Sequence, residues 1–387
     1  MSRQPPDILW IVTTQWRAQA TGYAGDPNAR TPSLDALAAR SINYAEAVTP
    51  HPFGPFARAA LLTGVPSPEN GVRDYFDPLP VESRTIAHVM RELGYETAYF
   101  GKWHLWKRDP DVALVGEAHA GIIVPPEGRG GFDFWEGFEG GFLLNDPWLH
   151  GTRLAEPCEF SGYQSDVLCD RTAGWLAQRN RANRKPWFCV VSLEPPHPPY
   201  DAPAAGIAAR DPATILLPAN VPRGSDIEAK ARKELSGYYA HIEATDRAMG
   251  RLIENVGDST MIMFASVHGD MHGAHGLFRK GWPHEESVRV PLLVRLPQGV
   301  AEVRHDAISL VDLLNLTASF ARTGALPRVE ARQARISMPS VVRLPHQCDR
   351  VWSGWRSRDR KEIFNEDGSP WLAFNLDRDR AETNNLI

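Results

Sequence analysis

The chain has 387 residues, of which 43% are apolar and 23% charged, with 31 Gly and 32 Pro; this is the composition of an ordered globular protein, long enough for one large α/β unit with an appendage or for two or three average domains. A formal net charge of −5 and a pI near 6.2 exclude a bulk electrostatic attraction to nucleic acid or to an anionic membrane, so any anion must be bound locally. The few apolar residues after Asp7 are too short a run for a signal-peptide core or a membrane span, and Cys158, Cys169, Cys189 and Cys348 have no metal-ligand spacing, which reads as a cytoplasmic protein with reduced thiols.

The elements alternate along the chain. DILWIVT (7–13) is a short apolar run rich in β-formers, suited to a strand buried on both faces. TPSLDALAAR (31–40) starts a helix with Pro32 in its first turn, and SRTIAHVMRELG (83–94) is a helix closed by Gly94 that runs into the strand YETAYFGKW (95–103). A helix at 165–178, a strand at 187–193, a long helix around 227–255, strands at 260–267 and 290–297 and a helix at 309–321 follow. This alternation implies an α/β fold with a mostly parallel sheet between helices, spanning 1–330. From 331 to 387, short segments such as RVWSGWRS, KEIFN and PWLAFNLD predict a small antiparallel C-terminal subdomain. Ligands of open α/β sheets bind beyond the carboxyl ends of strands. The segments in that position are TTQWR (13–17), GKWHL (101–105), EPPHPPY (194–200) and SVHGDMHGAHG (266–276).

These segments, together with RAALLTG, HIEATDRAMGRLIE, HGLFRKGWPHEESVRVPLLVRLP and FNLDRDRAETNNLI, resemble the sulfatases of the alkaline phosphatase superfamily through nearly the whole chain. The resemblance implies a mixed, mostly parallel sheet sandwiched by helices, with a small C-terminal α+β subdomain built on antiparallel strands. It also implies a Cys-x-Pro-x-Arg motif whose cysteine becomes formylglycine, and a calcium-like cation held by acidic pairs after the first strand and in the late loop. Here the motif cysteine aligns with Gly54, its proline with Phe56 and its arginine with Arg58. The metal-ligand positions align with Thr14, Gln15, Val267 and His268. None of the four carries a carboxylate, whereas hard divalent cations need several oxygen ligands and favour carboxylates. The expectation is a site with neither metal nor cofactor.

The positions that grip the anion in the family are kept: Lys102, His104, His197, Lys280 and Arg58. With the cation and two acids gone, Arg58, Lys102 and Lys280 need partners, either acids such as Asp270, Glu285 and Glu286 or an anionic ligand. Their mutual repulsion is expected to lower the lysine and histidine pKa values. Candidate catalytic residues are therefore His104, Lys102, His197, His268 and, as a nucleophile, Thr14. Candidate substrate contacts are Arg58, Lys280, Gln15, Gly54 and Trp103, the last with Trp16, Trp135 and Trp282 as an aromatic wall. His268, His272 and His275 can either supply a transition-metal site or serve as a pocket residue and loop hydrogen-bonders.

Three readings stay open. The first is an enzyme on the sulfatase scaffold that acts on a small anionic organic substrate by metal-independent His/Lys chemistry (hydrolysis, transfer or elimination), with homo-oligomerisation possible and no nucleic-acid or membrane partner. The second is an inactive pseudo-sulfatase that binds anions or serves as a scaffold. The third is a sulfatase or phosphatase with altered metal use.

Overall fold

The computed structural model describes residues 5–179, 185–329 and 333–387. Ten strands form one mixed sheet: β1 (Ile8–Thr13), β2 (Ile42–Tyr44), β3 (Glu96–Lys102), β4 (Phe134–Phe138), β5 (Trp148–Gly151), β6 (Cys158–Glu159), β7 (Trp187–Ser192), β8 (Met261–Ser266), β9 (Leu292–Arg295) and β10 (Glu302–Arg304). Their spatial order is β10-β2-β9-β8-β1-β7-β3-β4-β5-β6. The central run β8-β1-β7-β3-β4 is parallel, and β9 and β5 join it antiparallel on either side.

The central strands are apolar throughout because both faces are covered. Ile8, Trp10 and Val12 enter one core while Leu9 and Ile11 enter the other, as the two-residue period of a strand requires. The helices are α1 (Pro32–Ala38), α2 (Gly54–Thr63), α3 (Ile86–Glu92), α4 (Glu117–Ala120), α5 (Gln164–Ala177), α6 (Asp226–Glu254), α7 (Glu285–Val288) and α8 (Asp312–Thr323). Side chains of α2, α3 and α8 fill the first core and those of α1, α5 and α6 the second. Gly237, inside α6, allows a close approach: a Cβ there would lie 1.7 Å from the Tyr200 carbonyl oxygen, so the loop after β7 can lie directly on the helix.

The expected long strands and helices are present to within a few residues. The pieces absent from the sequence reading are the strands β2, β4, β5, β6 and β10 and the helices α4 and α7, of two to five residues each, too short for a periodic signal. A second sheet of four consecutive antiparallel strands follows: β11 (Gln333–Met338), β12 (Trp352–Ser357), β13 (Arg360–Asn365) and β14 (Pro370–Asn375). Ile336, Met338, Trp352 and Ile363 from this sheet join the first core. The boundary expected at 330/331 lies outside the described residues. All four cysteines are unpaired, three of them buried. Among the described residues no helix is long and apolar enough to cross a membrane.

Candidate functional site

Because β1, β3, β7 and β8 are parallel neighbours, their carboxyl ends open on the same edge of the sheet. The residues just past those ends meet the amino terminus of α2 and the loop carrying Lys280 around a cavity of about 970 Å³. Thr14, Gly54, Lys102, His104, His197, His268 and Lys280 all line it. Gln15 (φ 65°) and His104 (φ 60°) leave their strands in left-handed backbone, a costly conformation for residues with side chains and one that turns them sharply at the strand ends.

Two lysines set the charge of the inner end. Lys102 Nζ donates to Glu194 Oε1 at 2.6 Å, and both residues are essentially inaccessible to solvent. Lys280 Nζ donates to Gln15 Oε1 and to His197 Nε2, the latter at 3.1 Å. The Gln15 amide in turn donates to Asp270 at 2.5 Å, and Asp270 also accepts from the Tyr200 hydroxyl at 2.6 Å. Burial pulls the Lys280 ammonium down to about 7, aided by the charge of Lys102. Burial likewise lowers Lys102 to about 8, against the opposing pull of Glu194. The direction matches the sequence expectation, but desolvation rather than mutual repulsion is the largest cause.

The imidazoles are neutral, and two of their tautomers are fixed by backbone carbonyls, which only accept. His268 Nδ1 lies 2.8 Å from the Gly269 oxygen and His197 Nδ1 lies 2.7 Å from the Pro198 oxygen, so both Nδ1 atoms carry the proton. His197 Nε2 then accepts from Lys280, whereas His268 Nε2 has no partner among the described residues. Burial and the nearby lysines hold both rings well below the ordinary imidazole value. His104 is held down in the same way by burial and by Arg108, and its Nδ1 is also buried and unpartnered. Phe142 stacks on His197 at 4.6 Å and presents its face to Lys102 Nζ, also at 4.6 Å.

Several sequence-predicted roles need correction. Trp103 does not line the cavity; it is fully buried against Tyr99, Phe132 and Trp135. Trp16 and Trp135 are also core, and the aromatic wall is made instead of Phe53, Tyr75, Phe142 and Tyr200. Arg58 stands behind the cavity, donating to the Lys102 carbonyl at 3.1 Å, Ser192 Oγ at 2.5 Å and Thr14 Oγ1 at 2.8 Å. Gln15 likewise sits behind the wall. Thr14 sends its own proton to the Leu193 carbonyl at 3.0 Å, which leaves that hydroxyl with no base among its hydrogen-bond partners. Lys102 is paired not with Asp270, Glu285 or Glu286 but with Glu194, a residue the sequence reading passed over. Glu194 opens EPPHPPY two residues past β7, so a search of the strand ends for counter-ions would have found it.

The histidines of the late loop do not converge. His272 is enclosed by Tyr200 and Tyr238, and His275 stacks on His284 at 4.3 Å. Among the described residues, the only group of three or more His, Cys, Asp or Glu with ligand atoms within 4.8 Å of one another is His275, Glu286 and Glu382, which leaves His268 and His272 out.

The sulfatase family model matches residues 6–321. The chain belongs to the sulfatase family. It is similar to the ulvan-active sulfatase of Formosa agariphila, 36% identical over 303 residues that cover 76% of this chain and 56% of that relative's length. It is also similar to the N-acetylglucosamine-6-O-sulfatase of Bacteroides thetaiotaomicron, 23% identical over 487 residues covering 99% of this chain and 82% of the relative. Its fold matches that of a solved Bacteroides thetaiotaomicron protein from a core genetic locus for glycosaminoglycan metabolism, with a TM-score of 0.85, 21% identity, and 99% and 92% of the two chains covered.

The donors in this sulfatase-family chain at the positions aligned with the cation ligands do not fit a hard divalent ion. Val267 has no donor, and His268 offers a nitrogen. The two oxygens, Thr14 Oγ1 and Gln15 Oε1, already accept from Arg58 and Lys280 respectively, so an ion there would face the Arg58 guanidinium and the Lys280 amine with no carboxylate among the four aligned positions. At the position aligned with the family nucleophile, a Cβ on Gly54 would lie 2.8 Å from His104 Nδ1, closer than van der Waals contact. Gly54→Cys is therefore expected to displace the His104 ring and to give no calcium-dependent hydrolysis of 4-nitrophenyl sulfate; chelator-sensitive turnover in that variant would contradict this packing.

Proposed function

We propose that this sulfatase-family protein binds an anionic organic substrate and acts on it by histidine and lysine acid–base chemistry, without a metal and without a formylglycine nucleophile. The observation carrying the reading is that protein cations, Arg58 and Lys280, already hold the two oxygen donors where the family would place a cation. Lys102 and Lys280 attract the substrate's anionic group, and a bound anion keeps both lysines protonated. His268 Nε2, neutral and unpartnered in the cavity wall, is the general base. Lys280, kept protonated by the bound anion and hydrogen-bonded to His197, supplies the proton for a leaving group or developing charge. His104, its Nδ1 unpartnered among the described residues, lines the same cavity against Gly54 and is the second proton-transfer group.

The test is calorimetric titration with sulfate and benzenesulfonate between pH 5.5 and 9, with and without chelator, alongside a panel of sulfate, phosphate and carboxylate esters. Chelator should change nothing. Both lysines are charged below their folded pKa values, so affinity should be flat below about pH 6.5. It should then fall by up to about tenfold per unit as Lys280 loses its proton, and more steeply above about pH 8 as Lys102 follows. Turnover found on the panel should be lost in His104→Ala and His268→Asn. Affinity that needs added calcium, or that is unchanged from pH 6 to 9, would refute the reading; saturable binding with no turnover on any ester would favour the inactive alternative.

A further inference from the structure

Among the described residues the cavity is lined by six Lys or Arg and two acids, Asp201 and Glu234, in a chain whose net charge is −5. Four of the six cations are committed. Lys102 is held by Glu194, Lys280 by Gln15 and His197, and Arg279 by both oxygens of Glu234 at 2.7 and 3.0 Å. Lys230 lies 3.1 Å from His346 Nε2 and over the Phe278 ring. The side chains of Arg210 and Lys233 have no ion pair or hydrogen bond among the described residues.

Both are open to solvent, Lys233 more than Arg210, and their segments are joined. Ser236 Oγ donates to the Arg210 carbonyl and fastens that segment to α6, and Lys233 lies three residues before Ser236, on the same face of the helix. The same lining includes the apolar and aromatic side chains Phe53, Tyr75, Phe142, Leu114, Val115 and Leu344, with Phe142 and Phe53 against Lys102 and Lys280. Of the hydroxyl and amide oxygens in the lining, Thr14 is taken by Leu193 and Arg58, Ser236 by Arg210, and Gln347 Oε1 by the Lys280 amide, while among the described residues His104 Nδ1 and His268 Nε2 stay open at the inner end. A hydroxyl-rich ligand body would find few partners there, whereas an apolar one would be well covered.

We infer that the substrate is an organic dianion with an apolar body, one acidic group held at Lys102 and Lys280 and a second at an outer site made by Arg210 and Lys233. The inner half of this placement rests on the proposed function; the outer half does not.

Matched probes separate the two. Titrations would compare naphthalene-2-sulfonate with naphthalene-2,6-disulfonate, and biphenyl-4-sulfonate with biphenyl-4,4′-disulfonate, in the wild type, in Arg210→Ala/Lys233→Ala and in Lys102→Met/Glu194→Gln. At least one disulfonate should bind about tenfold more tightly than its monosulfonate at low salt, as expected for one added, partly screened charge contact. That ratio should fall to near one in Arg210→Ala/Lys233→Ala, and all four probes should weaken in Lys102→Met/Glu194→Gln. Disulfonates with no advantage, or an advantage that survives removal of Arg210 and Lys233, would overturn the outer site, while monosulfonate binding that depends on Lys102 would leave the inner reading standing. Monosulfonate binding indifferent to Lys102 would overturn the inner reading, and absence of binding by every probe would overturn both.

Discussion

Lys102→Ala should destabilise the protein by ~3–5 kcal/mol and abolish anion capture, and a second substitution should separate these effects. Glu194 has no exposed surface, and one of its oxygens already has no hydrogen-bond partner among the described residues. Its other oxygen is satisfied by Lys102 Nζ at 2.6 Å. Removing the ammonium leaves a buried carboxylate without its hydrogen-bonded counter-charge, the costly way to break a buried pair. Replacing both partners, as Lys102→Met/Glu194→Gln, removes both charges and should recover most of the loss in urea denaturation. It should not recover binding of sulfate or benzenesulfonate, because the inner site still lacks one of its two cations. If Lys102→Ala alone kept wild-type stability, Glu194 would have to be neutral or otherwise paired, and Lys102 would not be the charge that sets this pocket.

The parts of the fold legible in the sequence are those whose burial is two-sided. β1, β7 and β8 are unbroken apolar runs because helices cover both faces of the sheet, and runs of that kind need no partner to be recognised. β2, β6 and β10 take their strand character from a neighbour rather than from their own residues, and a single chain read in order shows no neighbour. The same division holds in the site. Parallel strands send their carboxyl ends to one edge, so Thr14, Lys102, His197 and His268 were findable from the ends of strand-like runs. Trp103 went wrong because it continues the register of the strand for one residue, so it points into the core with Tyr99 and Trp135 while Lys102 before it faces the cavity; His104 after it reaches the cavity through its left-handed turn. The Lys102–Glu194 pair joins residues 92 apart through the β3–β7 pairing, and no local pattern encodes it. Phe142 reaches the site from the loop after β4, a strand the sequence reading did not contain, and it carried no signal at all.

The second large effect lies outside the cavity, at the seam between the two sheets. Arg356 on β12 has no exposed surface and donates to Glu46 at 2.5 Å and to Glu285 at 2.9 and 3.3 Å. Glu285 is also held by Lys361 and Arg289, and Lys361 reaches Glu382. Arg356→Met keeps much of the side-chain volume but strips two buried carboxylates of their shared donor, and should cost ~3–5 kcal/mol in urea denaturation. Unfolding should remain a single transition, because Ile336, Met338 and Trp352 from the second sheet sit in the same core as the helices of the first. The substitution should also reach the site. Trp352, four residues before Arg356 on the same strand, donates its indole N–H to the Gly281 carbonyl at 2.8 Å, and the Cys348 amide donates to the Lys280 carbonyl at 3.3 Å. The second sheet thus helps hold the loop that carries Lys280, and loosening it at Arg356 should weaken sulfate binding at temperatures where the variant is still folded. Stability within ~0.5 kcal/mol of wild type would show that the carboxylates at the seam are satisfied by Lys361, Arg289 and Arg380 alone, and that the Lys280 loop is held without the charge network behind it.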